Sequence, residues 1–158
     1  MAPRPTPPRF ATPEMRARLA LIAASHHRLT GRALVPDGAD PALALWEARA
    51  AIVAHGTQAD PVFFFGNRAA LDRFDTTLER FTAMPSRLSA EPMLRDERQA
   101  LLDRVARDGF IDDYSGIRIS AAGQRFRIER ATVWNLIDAG GAVHGQAAAF
   151  DRWTDLPR

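Results

Sequence analysis

Four histidines, a few amides set in apolar runs and no cysteine are the material from which any chemistry in this chain must be built. Asn135 and Gln146 come first, because both interrupt stretches that otherwise read as core. A buried amide must find partners, so each is either bonded to backbone or aimed at a ligand. Gly145 precedes Gln146 and lets backbone or ligand come close. His55 ends an apolar run before Gly56-Thr57 and is a candidate metal or heme ligand, a general base, or a hydrogen-bonded turn residue. The turn role is favoured, since no second histidine or carboxylate stands at ligand spacing. With Phe65 from the aromatic run Val62 to Gly66, the candidate ligand-facing set is His55, Phe65, Asn135 and Gln146.

Other groups invite chemistry less strongly. His26 and His27 are adjacent, so they point to different sides of a helix and lack the i, i+4 spacing that zinc wants. Asp112 and Asp113 alternate across a strand and cannot flank one substrate without distortion. Arg118, Arg125, Arg127 and Arg130 come from two facing strands and could recognise an anion, but the interspersed Glu129 and Asp138 favour a solvated face. Trp134 and Asn135 have opposite parity, so both cannot face one cavity without a bulge; Trp134 is expected to cover a sheet face beneath the N-terminal helices or at a dimer contact. No Walker loop, Rossmann glycine set, G-x-S-x-G or H-E-x-x-H is present, so no motif asks for an enzyme and no metal site is expected.

The charge inventory narrows the partners. Of 158 residues, 21 are Arg, none is Lys and 19 are acidic, for a net charge of +2. With neither Lys nor Cys, little titrates between neutrality and the guanidinium range. A pI near 10.2 therefore follows from composition and is no nucleic-acid footprint. Nothing approaches the length of a membrane span, and the Pro-rich start has no signal-peptide segment. The expectation is a cytoplasmic bacterial protein with neither nucleic-acid nor membrane partners. Zero cysteines exclude disulfides, thiolate nucleophiles and iron–sulfur clusters.

The elements that must position these residues are legible. Residues 1–11 read as a disordered Pro-rich arm. Thr12-Pro13-Glu14 starts a helix whose stripe is Met15, Leu19, Ile22, His26 and Leu29, stopped by Gly31. Asp40-Pro41 starts a second, and residues 12–50 form a helical extension. Ala51 to Thr57 and Val62 to Gly66 read as strands, Asn67 caps a short helix, Thr76-Thr77-Leu78-Glu79 has the capping-box spacing for another, and Pro92 to Asp108 is the long helix, with Met93, Leu94, Leu101, Leu102 and Val105 inside. Three more strands follow, divided by Gly123 and by Gly140-Gly141. In the middle one, Phe126 and Ile128 alternate with Arg125, Arg127 and Glu129, and alternation fails beyond Arg130, as it does where both faces are covered or a bulge intervenes. The fold class is α+β: a five-stranded antiparallel sheet flanked by helices over residues 51–158, with an N-terminal helical extension.

This order resembles the PAS fold, and the strand end FFFGNRAALDRF resembles the PAS pattern of an apolar strand, then Asn, then a small-residue helix. More specifically, AHGTQADPVFFFGNRAAL, MPSRLSAEP, DERQALL, DDYSGIRIS, GQRFRIERATVWNLID and GQAAAF are similar to a MEKHLA-domain protein of the PAS-like family. In plant members the domain follows a homeodomain and leucine zipper; the length here implies a stand-alone domain. The resemblance implies a small-molecule ligand between sheet and helices, or a dimerisation role. It leaves flavin and heme as candidate cofactors: flavin contacts map onto Asn135 and Gln146, and His55 and His144 lie on strands. In the light-sensing branch the reactive cysteine would fall near Ser86, so its photoadduct is excluded. Three functions stand: a sensory or adaptor domain that binds a small molecule and signals by protein contact or dimerisation, a ligand-free dimerisation module, and a small flavin or heme enzyme.

Overall fold

The computed structural model describes residues 5–90 and 95–157. In chain order it has helices α1 (Pro13–Thr30) and α2 (Pro41–Glu47), strands β1 (Ala51–His55) and β2 (Phe63–Gly66), and helices α3 (Arg68–Arg73), α4 (Leu78–Phe81) and α5 (Arg95–Asp108). Strands β3 (Phe110–Ile119), β4 (Arg125–Ile137), β5 (Val143–Phe150) and β6 (Trp153–Asp155) follow. The sheet is antiparallel, in the order β2-β1-β5-β4-β3. The last run, expected as one strand through Trp153, breaks at Asp151-Arg152; β6 then resumes pairing with β4 at Phe126–Ile128. The expected start of α5, with Met93 and Leu94, lies outside the described residues.

Helices cover both faces of the sheet. On one side lies α1, capped as expected: the Thr12 hydroxyl accepts from the Met15 N–H, and Gly31 closes the helix at φ 74°. Its stripe is spent on its own sheet. Leu19 and Ile22 are fully buried, and the Trp134 indole donates to the Ile22 carbonyl at 3.2 Å. The Ser25 hydroxyl both donates to and accepts from the Ile137 backbone, and Arg28 donates to the Ile137 and Asp138 carbonyls. The arm expected to be disordered is ordered in part. Pro8–Ala11 form a 3-10 turn and Phe10 is 1% exposed, its ring 5.9 Å from Trp46 and 5.4 Å from Phe65. One aromatic anchor outweighs the proline content of the segment.

On the other side α3, α4 and α5 close over a phenylalanine cluster. Phe63 stacks on Phe81 at 4.1 Å, and Phe74 lies 5.4 Å from Phe126 and 6.5 Å from Phe150. Beneath it the Arg73 guanidinium sits 3.9 Å from the Phe126 ring and pairs with Asp155 at 2.6 Å, fastening β6 to α3. The loss of alternation beyond Arg130 has its cause there. Arg130 adopts φ 52° and the β3–β4 register shifts around Tyr114. The bulge moves the inward parity of β4 from even to odd positions, so Trp134 faces α1 and Asn135 faces α5.

Asn67 joins these layers. Fully buried, it accepts from the Ile52 and Ala70 N–H groups at 2.9 and 3.0 Å and donates to the Leu45 and Ala50 carbonyls at 3.0 and 2.8 Å. Every hydrogen-bonding position of the amide that the fold needs is used. Asn67→Ala strands four buried backbone groups, and we expect a loss of about 3 kcal/mol or more, read as a fall in Tm of roughly 10 °C. Unchanged stability in urea would show that water replaces the amide.

His26 supplies a pH dependence. It is 8% exposed, its ring stands edge-on to Trp134 at 4.8 Å, and its Nδ1–H donates to the Arg32 carbonyl at 2.9 Å. Burial holds its pKa below the ordinary 6.5, against the Arg32 carbonyl, which pulls it up. The unfolded chain therefore binds the proton more readily. Stability is complete above pH 6.5 and declines as pH falls through the folded pKa. Urea unfolding between pH 8 and 5 should show this decline, and His26→Gln should flatten it.

Candidate functional site

A cavity of about 60 Å³ lies between the sheet and α5. Its walls include His55 and Phe63 from β1 and β2, Phe74 from α3, and Leu101 and Leu102 from α5. Tyr114 and Arg118 of β3, Val133 of β4 and Gln146 to Ala148 of β5 complete most of the rest. Two of the four candidate residues, His55 and Gln146, face each other across β1 and β5 on this wall.

The other two do not line it. Phe65 is on the opposite side of the sheet, against Phe10, because β2 carries an extra residue between the partners of Ala54 and His55. That irregularity separates Phe63, which faces the cavity, from Phe65, two positions on. Asn135 is 5% exposed and turned toward α5, where its Nδ2 donates to the Val105 carbonyl at 3.0 Å. Its Oδ1 in turn accepts from Gln146 Nε2 at 3.1 Å.

This pair forms a relay whose polarity is set at its far end. A backbone carbonyl only accepts, so Asn135 must present nitrogen to Val105 and oxygen to Gln146. Gln146 must then present nitrogen to Asn135, which leaves its Oε1 turned away. That oxygen is buried and has no hydrogen-bond partner among the described residues. The relay also grips the end of α5: Val105 O accepts from Gly109 N at 2.8 Å, and Asn135 N donates to Gly109 O at 2.9 Å.

At the other end of the cavity stand Tyr114, which the sequence suggests only as part of a strand entry, and Arg118, which it suggests as part of a solvated face. Arg118 is cross-strand to Phe126 and so faces the helices, whereas Arg125 and Arg127 lie on the opposite face and Arg130 is in the bulge. The four arginines therefore make no single stripe. The available signal was Gly116: the Tyr114 side chain folds over it, occupying the place a Cβ would take, and Arg118 stacks 5.4 Å from the Tyr114 ring. Asp112 pairs with Arg32 at the surface at 2.9 Å, away from Asp113 in role. His144 is exposed and bonds Asp138 at 2.8 Å; this bond, with the Ala142 and Gly140 N–H groups, holds the Asp138 carboxyl below its ordinary range.

Neither candidate cofactor fits the described walls. A cavity of about 150 Å³ is what one benzene ring occupies in a protein interior, and this one is about 60 Å³. Flavin has three fused rings and heme is larger; the phenylalanine cluster stands where they would lie. His55 Nδ1 is committed to the Gly56 carbonyl at 2.9 Å, and Asn135 to α5. Among the described residues no three His, Asp or Glu side chains gather as a metal site needs. No helix among them is long and apolar enough to cross a membrane.

Sheet order, the helices over one face and the cavity beneath them define a PAS-like domain. Solved structures agree in fold. The PAS domain of a Colwellia psychrerythraea protein superposes with a TM-score of 0.59 at 15% identity, covering 73% of this chain and 92% of that one. An RNA-binding light-oxygen-voltage receptor does so at 0.58 and 15%, covering 74% and 33%. The MEKHLA domain model matches residues 16–155, and the chain belongs to the MEKHLA-domain family. The match begins inside α1 and runs through α2 to the end of the sheet. Homeobox-leucine zipper protein HOX33 of Oryza sativa subsp. japonica is 30% identical over 152 residues, 91% of this chain and 17% of that protein. ATHB-15 of Arabidopsis thaliana is 29% identical over 153 residues, 92% and 18%. The chain thus spans less than one-fifth of the length of these curated relatives.

Gly145 positions the Gln146 end of the site. Its φ is 143°, and a Cβ there would collide with the His55 carbonyl oxygen. The close approach that the glycine permits is therefore to backbone. Gly145→Ala should cost about 3 kcal/mol or more and shift the Gln146 side-chain amide resonances; a variant as stable as the parent would place the approach elsewhere.

Proposed function

We propose that this MEKHLA domain is a sensory or adaptor module that binds a small molecule between the sheet and α5 and passes the event on by contact with a protein partner or a second copy. The observation that carries this reading is Gln146, which lines the cavity between the sheet and α5, is relayed through Asn135 to the Val105 carbonyl, and keeps a buried Oε1 with no partner among the described residues. Leaving a buried acceptor unpaired costs about 1–3 kcal/mol, a cost that an occupant donating to it removes. The coupling follows from the relay. A ligand that draws Gln146 toward itself weakens its bond to Asn135, and Asn135 holds the last turn of α5. The fold likeness to light-oxygen-voltage proteins supports a sensory role without supplying the signal.

A second reading, a ligand-free interaction module, is favoured by the phenylalanine cluster that fills most of the interior. Native mass spectrometry of the freshly purified chain separates the two. Extra mass that is lost on denaturation, and lost again in Gln146→Leu, is expected for the sensor. A bare chain that assembles with a partner unaffected by Gln146→Leu identifies the module.

A further inference from the structure

Two Asp-Gly pairs stand in the chain, Asp37-Gly38 and Asp108-Gly109. The amide nitrogen after an aspartate can attack that residue's own Cγ, and glycine, without a Cβ, leaves the approach open. As sequence the two pairs are alike; their surroundings are not. Asp37 and Gly38 are the exposed middle of the turn 36–39, closed by one hydrogen bond from Ala39 N to Pro36 O at 3.2 Å. The Gly38 N–H has no partner among the described residues, and nothing lies within 4 Å of where its Cβ would stand. The Asp37 carboxylate pairs with no cation among them. A turn held by one exposed bond opens readily, which lets the Gly38 nitrogen swing onto Asp37 Cγ.

Asp108 and Gly109 are the opposite case. Gly109 closes α5: its N–H donates to Val105 O at 2.8 Å, and its carbonyl accepts from Asn135 N at 2.9 Å. The attacking nitrogen is thus bound to its own helix, and the residue is pinned to β4. A hydrogen bond from Arg107 Nε at 3.1 Å also holds the Asp108 carboxyl below its ordinary range. Ring closure needs the neutral carboxyl, whose hydroxyl is the leaving group, so this pairing opposes it too.

We propose that Asp37 is a site of spontaneous isoaspartate formation in the folded protein, and that the fold protects Asp108 from the same reaction. The Gly38 nitrogen attacks Asp37 Cγ; the new C–N bond replaces the C–OH bond, and the hydroxyl leaves with the amide proton as water. Water then opens the cyclic imide at either carbonyl. Addition at Cγ restores aspartate. Addition at the α-carbonyl routes the main chain through Cβ and frees the α-carboxylate. One water is lost and one regained, and nothing is oxidised or reduced. The product lengthens the link between α1 and α2 by one main-chain atom, at two residues that are both exposed. It also presents the carboxylate that an isoaspartyl methyltransferase esterifies with the methyl group of S-adenosylmethionine.

The test is prolonged incubation of the full chain at pH 7 in oxygen-18 water, then digestion in ordinary water and mass spectrometry of the two Asp-Gly peptides. Each reopening of the imide by solvent leaves one heavy oxygen. The Asp37 peptide should gain label at least about tenfold faster than the Asp108 peptide, since freeing Gly109 breaks two hydrogen bonds. In guanidinium chloride, where neither pair is held, the two should label at similar rates. The aged, folded chain should also accept labelled methyl from S-adenosylmethionine through an isoaspartyl methyltransferase, and Asp37→Ser should abolish that uptake. Equal labelling of both peptides in the folded chain overturns the protection of Asp108. An Asp37 peptide that labels in denaturant but not in the folded chain overturns the site. Label at Asp37 without methyl uptake means that the imide reopens to aspartate alone, which overturns the isoaspartate. The comparison of the two peptides uses the unaltered protein, so it stands whatever the variant does to folding.

Discussion

The fold hangs on one amide. Asn67 sits where three parts of the chain meet: the end of α2, the start of β1 and the first turn of α3. None of those parts is long, and helices of six or seven residues do not hold themselves together in water. What fixes them is a side chain that satisfies the backbone groups each leaves open. The neighbouring Gly66 serves the same junction, since the Phe81 ring packs where its Cβ would be. Remove the amide and the N-terminal helices, the sheet and the helical cover lose their common point of attachment.

From that junction the sheet is sandwiched, and the sandwich decides where chemistry can occur. One face is occupied by the first two helices through Trp134, His26 and Ser25. On the other, aromatic rings border a small void whose walls carry His55, Tyr114, Arg118 and Gln146. The bulge at Arg130 assigns Trp134 to the first face and Asn135 to the second. A one-residue irregularity thus separates a structural tryptophan from the amide that orients the site.

Much of this was legible in the sequence. Thr12 and Asn67 announced their helices, because a cap is a local hydrogen bond between a side chain and the backbone two or three residues on; the capping box read from Thr76 falls one residue later, on Thr77. The five-stranded antiparallel sheet followed from the resemblance, and the broken alternation of β4 pointed to a bulge. Phe65 was misassigned because β2 has four residues, too few for parity to survive one irregular pairing. Asn135 was half right: its need for a partner was readable, but the partner is a helix carbonyl thirty positions upstream, which only the tertiary structure discloses. Phe10 was hidden by its composition, since prolines around a single aromatic give no period. Arg118 was read as part of a solvated face because its orientation depends on register, not on type.

The bond between Trp134 and the Ile22 carbonyl joins residues 112 positions apart, and this has a consequence for synthesis. At about 5–20 residues per second, α1 leaves the ribosome many seconds before the strand it packs against exists. Throughout that interval Leu19 and Ile22 have no sheet to cover, so α1 docks late. Its apolar stripe is a natural landing place for a chaperone until β4 arrives.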